Sequence, residues 1–154
     1  MVVEKLKDFL DGNDVRYDTL THSEAYTAQE AAAAAHVPGK DVAKVVMVKV
    51  DGDMAMVVLP ATLQVSLERL EQVTGAGDVA LAGEDEFRGL FPTCEPGAMP
   101  PFGNLWDMQV FVDRHLREDE RIAFPAGNHH ELVRLAYSDF EALVNPVVAE
   151  LSTE

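Results

Sequence analysis

Lys44 stands in the run Val42-Ala43-Lys44-Val45-Val46-Met47-Val48-Lys49-Val50. In an extended chain alternate side chains share a face, so its ammonium lies on the face of Val42, Val46, Val48 and Val50. An unpaired ammonium among apolar groups is expensive. It must snorkel to solvent, pair with an acid, or face a wet cavity that holds something polar. A strand-end lysine reaching water and an electrostatic anchor in a cleft fit the sequence equally well. A second candidate is the loop Gly97-Ala98-Met99-Pro100-Pro101-Phe102-Gly103, where prolines fix the backbone and glycines allow close approach. Its N–H and C=O groups could hold a ribose hydroxyl or an ester carbonyl, and the same stiffness would also serve a structural crossover.

The histidines have no chelating spacing: His22, His36 and His115 are isolated, and His129-His130 point to opposite faces if extended. No metal site is expected. His130 could act singly as a polar group or base at a cleft, because Ala126-Gly127-Asn128 before it forms a turn between two strands. Cys94 is the sole cysteine, which excludes an intrachain disulfide and a cysteine-based metal cluster. It sits in the loop Phe91 to Pro96, beside an acid that would raise its pKa. No serine has a nucleophile-elbow context, and there is no P-loop or dinucleotide fingerprint. Common covalent and phosphoryl-transfer chemistries are disfavoured, and no cofactor is expected.

The elements that must position these residues read as follows. Leu6, Phe9 and Leu10 share a helical face in a first helix from Val3 to Leu10, and Val15 to Thr21 reads as a strand. Thr27-Ala28-Gln29-Glu30 is a capping box that opens a second helix, and Val37-Pro38-Gly39 stops it, with Gly39 expected in a left-handed turn. Val42–Val50 and Met54–Leu59 are strands joined at Asp51-Gly52-Asp53, a hairpin signal. Both are apolar on each face, as central strands covered on two sides are. Ser66 to Val73 is a third helix closed by Gly75, and Glu84 to Leu90 a fourth. Trp106 to Asp113, Arg121 to Phe124 and Leu132 to Tyr137 read as later strands. Ser138-Asp139-Phe140-Glu141 reads as a second capping box, opening a last helix that Pro146 breaks. The expected fold is α/β of the α+β type: a single domain over 1–154, with one mixed, largely antiparallel sheet and flanking helices.

The 154 residues are enough for one well-buried core. Asp and Glu number 27 against 12 Lys and Arg, a net charge of -15. That balance argues against a duplex-DNA binder, which draws its affinity from cations on phosphate, and it is also compatible with adaptation to high salt. The start, Met1-Val2-Val3-Glu4-Lys5, lacks a basic segment followed by a long apolar one, and no apolar run reaches the length of a membrane span. A cytoplasmic protein without membrane contact is expected.

Ala43-Lys44-Val45-Val46-Met47-Val48-Lys49 on a strand, Leu59-Pro60-Ala61 after its partner, the Gly97–Gly103 loop and Phe124-Pro125-Ala126-Gly127-Asn128-His129-His130 together resemble the YbaK/prolyl-tRNA-editing family. The resemblance runs from about Thr21 to Asn145. It implies a relative of the editing domain inserted in bacterial prolyl-tRNA synthetases, hydrolysing mischarged aminoacyl-tRNA in trans without metal or organic cofactor. Lys44 matches the family's strand lysine, tied to positioning the terminal adenosine and ester. Gly97 and Pro101 match its Gly-x-x-x-Pro loop, so Gly97 through Ala98, Met99, Pro100, Pro101, Phe102 and Gly103 are expected to form the aminoacyl pocket. His130 matches a polar position after the later strand, with Gly127 and Asn128 beside it. Val45 stands where relatives often carry a polar residue, which bears on amino-acid specificity. The implied partners are the tRNA acceptor end, tRNA-Pro in the first place, and optionally a synthetase. A noncatalytic nucleotide-binding or synthetase-associated module is the alternative.

Overall fold

The computed structural model describes residues 2–153. Helix α1 (Glu4–Gly12) buries Leu6 and Leu10, and strand β1 (Tyr17–Thr21) follows. Helix α2 (Ala28–Ala34) starts at Thr27, whose side chain accepts from the Glu30 amide while Glu30 reaches back. The helix ends with His36 at a φ of 58°, so the left-handed position falls one turn before Gly39. Gly39 instead opens a short 3-10 turn, Gly39–Asp41.

Strands β2 (Ala43–Val50) and β3 (Asp53–Pro60) form the expected hairpin. Asp51 and Gly52 both have positive φ, 50° and 88°, as the tight turn matching strand twist requires. A two-residue β4 (Gln64–Val65) leads into α3 (Leu67–Thr74), capped by the Ser66 side chain at one end and left-handed Gly75 at the other. Then come β5 (Val79–Leu81) and α4 (Glu84–Phe87), the latter continued by a 3-10 turn over Arg88–Leu90. Trp106 closes another 3-10 turn, so β6 (Gln109–Asp113) is shorter than its apolar run suggests.

Helix α5 (Arg114–Arg117), β7 (Arg121–Pro125) and β8 (Glu131–Ala136) precede α6 (Tyr137–Val144). The last helix begins at Tyr137 without a side-chain cap, so Ser138 is inside it and the second capping box does not form. Left-handed Asn145 ends α6 before Pro146. Two strands the sequence did not announce close the chain, β9 (Val147–Ala149) and β10 (Ser152–Thr153), the latter paired with β4.

The architecture is mixed α/β, with sheets and flanking helices. The single expected sheet is divided. A five-stranded mixed sheet has the order β5-β2-β3-β6-β9, and a three-stranded antiparallel sheet the order β1-β8-β7. In the larger sheet β2 pairs antiparallel with β3 and β5, whereas β3–β6 and β6–β9 are parallel. One parallel bridge, Val42 to Ala123, links the two sheets.

Burial follows strand parity. Met56 and Val58 of β3 enter the main core with Phe102, Phe124 and Phe140, while Ala55, Val57 and Leu59 enter a second cluster with Leu70 of α3. The alanines of α2 join Val42, Ala61, Ala123 and Leu132 in a third. Small side chains let that helix lie close to the junction of the sheets.

Two buried carboxylates behave oppositely. Burial alone would raise the Asp113 pKa, but the Ser152 side chain, the His115 and Leu151 amides and the His115 ring all hydrogen-bond to the carboxylate and hold it low. These bonds tie β6 to the chain end. Asp119, whose side chain is 7% exposed, is pushed up to about 6 by burial and by the Asp41 carboxylate, against the pull of Lys40. Its folded pKa thus exceeds the unfolded value, so stability falls as pH rises from about 4 to about 6 and stays lower above. Asp119→Asn should melt at a higher temperature than wild type at pH 8, with the gap closing towards pH 4. Thermal melts across that range check it.

Candidate active site

Four backbone hydrogen bonds assemble the site. The His22 amide donates to His130 O at 2.8 Å and the Ala25 amide to His129 O at 3.1 Å, which fixes the segment between β1 and α2 against the β7–β8 turn. The Gly127 amide donates to Ala98 O at 2.9 Å, and the Glu95 amide to Gly127 O at 2.8 Å, which fixes the proline-rich loop against the same turn. Gly127, at a φ of 99°, leaves no room for more: an added Cβ would lie 2.9 Å from Val3.

Between these segments lies a cavity of ≈ 20 Å³, room for about one water or a methyl-sized group. Its walls include His22, Tyr26, Gly97, Ala98, Asn128 and His129. Gly97 has a φ of 84°, a left-handed conformation that side-chain-bearing residues avoid. It is exposed, and its amide donates to no group among the described residues, so it is available to an incoming oxygen.

Two imidazoles face this space. His129 Nε2 lies 3.0 Å from Pro96 O and His22 Nδ1 2.6 Å from Ser23 O. A carbonyl only accepts, so each of those nitrogens carries the proton. In the neutral ring this leaves His129 Nδ1 and His22 Nε2 as acceptors. His129 Cε1 would sit 3.8 Å from a Cβ on Gly97, so the ring packs directly against the loop.

Lys44 is half-buried, and burial alone lowers its pKa from 10.5. No carboxylate lies within ion-pair distance among the described residues. By contrast Lys7, Lys40, Lys49 and the arginines from Arg69 onward all have one. Lys44 falls between two apolar clusters on one sheet face, with Val42 in the α2 cluster on one side and Val46 and Val48 in the α3 cluster on the other. It is not a wall residue of the cavity. The parallel Val42–Ala123 bridge carries it along β2 in the direction in which β7 reaches Pro125, which is one.

Of the loop expected to form a pocket, only Gly97 and Ala98 reach the cavity. Met99, Pro100, Pro101, Phe102 and Gly103 are buried, with Met99 and Phe102 in the main core and Gly103 packed against Val110 and Met108. Asn128 lines the cavity and donates from Nδ2 to Glu131 at 3.2 Å. His130 is 51% exposed and points to Glu24 at 3.9 Å, while its neighbour His129 turns inward. The alternation expected of adjacent residues signalled that one of the pair faces in, though not which. His22 and Tyr26 were not singled out from the sequence, and no motif marked them. Cys94 is pushed up to about 11, by its burial rather than by Glu95. Among the described residues no three His, Cys, Asp or Glu side chains gather as metal ligands, and no helix is long and apolar enough to cross a membrane.

The family model of the aminoacyl-tRNA editing domain matches residues 22–143. No curated protein matches the chain. Among solved structures, hypothetical protein APE2540 aligns with a TM-score of 0.87 at 22% identity, covering 97% of this chain and 100% of that one. A candidate trans-editing enzyme for prolyl-tRNA synthetase aligns at 0.82 and 20% identity, covering 97% and 96%. A candidate signal transduction protein from Marinobacter aquaeolei VT8 aligns at 0.80 and 14% identity, over 100% of this chain and 31% of that one. These likenesses establish the shared fold.

Proposed function

The chain belongs to the aminoacyl-tRNA editing domain family, and from that premise we propose that it hydrolyses, in trans, the ester of tRNA carrying a wrong, small amino acid. The observation that carries this reading is the cavity between Gly97 and His129, with a half-buried ammonium on the adjoining strand that has no carboxylate partner among the described residues. An aminoacyl ester is already activated, so orienting a water or the neighbouring ribose hydroxyl and stabilising the oxyanion suffices without a protein nucleophile. A water oxygen, oriented by the neighbouring ribose hydroxyl, adds to the carbonyl carbon, the bond to the ribose oxygen breaks, and that oxygen takes up the proton the water gives up, so the free amino acid leaves and the ribose hydroxyl is restored.

In this scheme the Gly97 amide faces the developing oxyanion and Lys44 anchors negative charge beside it. The histidine role moves from His130 to His129, whose Nδ1 is an acceptor at the cavity wall. A space of methyl size receives alanine best and turns away branched or ring side chains, which is how a second sieve spares the cognate residue. The candidate trans-editing enzyme among the structural neighbours supports tRNA-Pro as the carrier, with a synthetase as optional partner. A panel of mischarged tRNAs tests the reading: release of alanine from tRNA-Pro with prolyl-tRNA-Pro left intact is expected, and a panel left wholly uncleaved would overturn it.

A further inference from the structure

Most cations of this chain are held in ion pairs, and its net charge is -15. Little positive surface is left to hold the phosphates of a tRNA body, the usual source of nucleic-acid affinity. Substrate affinity must then arise at the site itself, where one side chain suits the task. Tyr26 is a cavity wall residue, yet 63% exposed. One side of its ring packs on buried His129, with centroids 5.0 Å apart and planes at 53°. The Glu24 carboxylate raises the pKa of its hydroxyl, and the hydrogen bond from the Ala25 amide to His129 O holds the backbone beside it. The ring is therefore held against His129 on one side, with the rest open to solvent at the cavity rim.

We propose that Tyr26 is the platform on which the terminal nucleobase of the substrate stacks, so that the unit recognised is the aminoacylated terminal nucleoside and the tRNA body adds little. The inference rests on the deacylase reading for its substrate, and makes Tyr26 a positioning residue. A planar base meets a fixed aromatic face at small entropic cost, and stacking needs no cation.

The probe is 3′-alanylamino-3′-deoxyadenosine, in which an amide replaces the ester, with binding measured by calorimetry. Tyr26→Ala should weaken binding about tenfold or more, and Tyr26→Phe should stay within about threefold of wild type. Raising salt from about 50 to about 200 mM should change wild-type affinity for alanyl-tRNA-Pro less than about threefold, far below the loss of a protein contacting many phosphates. In turnover Tyr26→Ala should raise KM while kcat falls by no more than about threefold. Unchanged probe binding by Tyr26→Ala, or a steep salt dependence, would overturn the proposal. Wild type that cleaves no mischarged tRNA would overturn the deacylase reading alone, because the calorimetric arm still decides what Tyr26 does.

Discussion

Lys44→Ala should lower kcat for deacylation by about 10²- to 10³-fold, the usual loss when a preorganised charge or donor is removed from a site, while its melting temperature stays level or rises. The two halves of this result have one cause. Burial disfavours the charged form of Lys44 in the folded chain, and no carboxylate among the described residues offsets it. The folded pKa thus lies below the unfolded one, so the charge works against folding at neutral pH, and stability is regained only as pH rises towards 10.5. Removing the charge relieves that cost. A lysine kept for structure would behave the other way, its loss lowering stability and leaving turnover alone. Single-turnover hydrolysis of mischarged tRNA and thermal melts on the same preparations separate the two. Equal hydrolysis by wild type and variant would remove Lys44 from the mechanism.

What was legible in the sequence lay where chemistry and periodicity conflicted. Lys44 stood out because strand parity put an ammonium among valines, and the sheet places it between two apolar clusters of that face. Asp51-Gly52, Thr27 with Glu30, and Gly75 each announced local structure through an interaction made within a few residues, and each is found. Ser138 failed because Tyr137 and Phe140 bury themselves in the core, and that burial starts the helix two residues earlier than a cap at Ser138 would. Strands β9 and β10 were invisible because their partners, β6 and β4, lie far away in sequence. The same holds for the cavity. His22, Tyr26 and His129 meet through backbone hydrogen bonds between β1 and the β7–β8 turn, over more than a hundred positions of chain, and no short motif reports that.

Phe102→Ala should cost about 3–5 kcal/mol, a large share of the roughly 5–15 kcal/mol that holds a domain of this kind together. Phe102 was expected at the substrate, but it is fully buried, with ring centroids 6.0 Å from Phe9, 5.4 Å from Phe124 and 5.4 Å from Phe140. It joins α1, β7 and α6 at one point. Alanine there removes the ring and leaves a cavity that three other rings cannot all close. The denaturation midpoint should fall accordingly, while Phe102→Leu, which keeps much of the volume, should lose far less. Gly97→Ala provides the contrast. Its added methyl meets only ordinary contact, 3.8 Å from His129, so the penalty is the left-handed φ of 84°, about 1–2 kcal/mol. If that strain shifts the amide away from the cavity, turnover falls while the fold survives. The two variants together divide the loop at Ala98, with the segment before it presenting backbone to the substrate and the segment after it filling the core. Should Phe102→Ala unfold at the wild-type midpoint yet lose activity, the aromatic belongs to the pocket and that division is wrong.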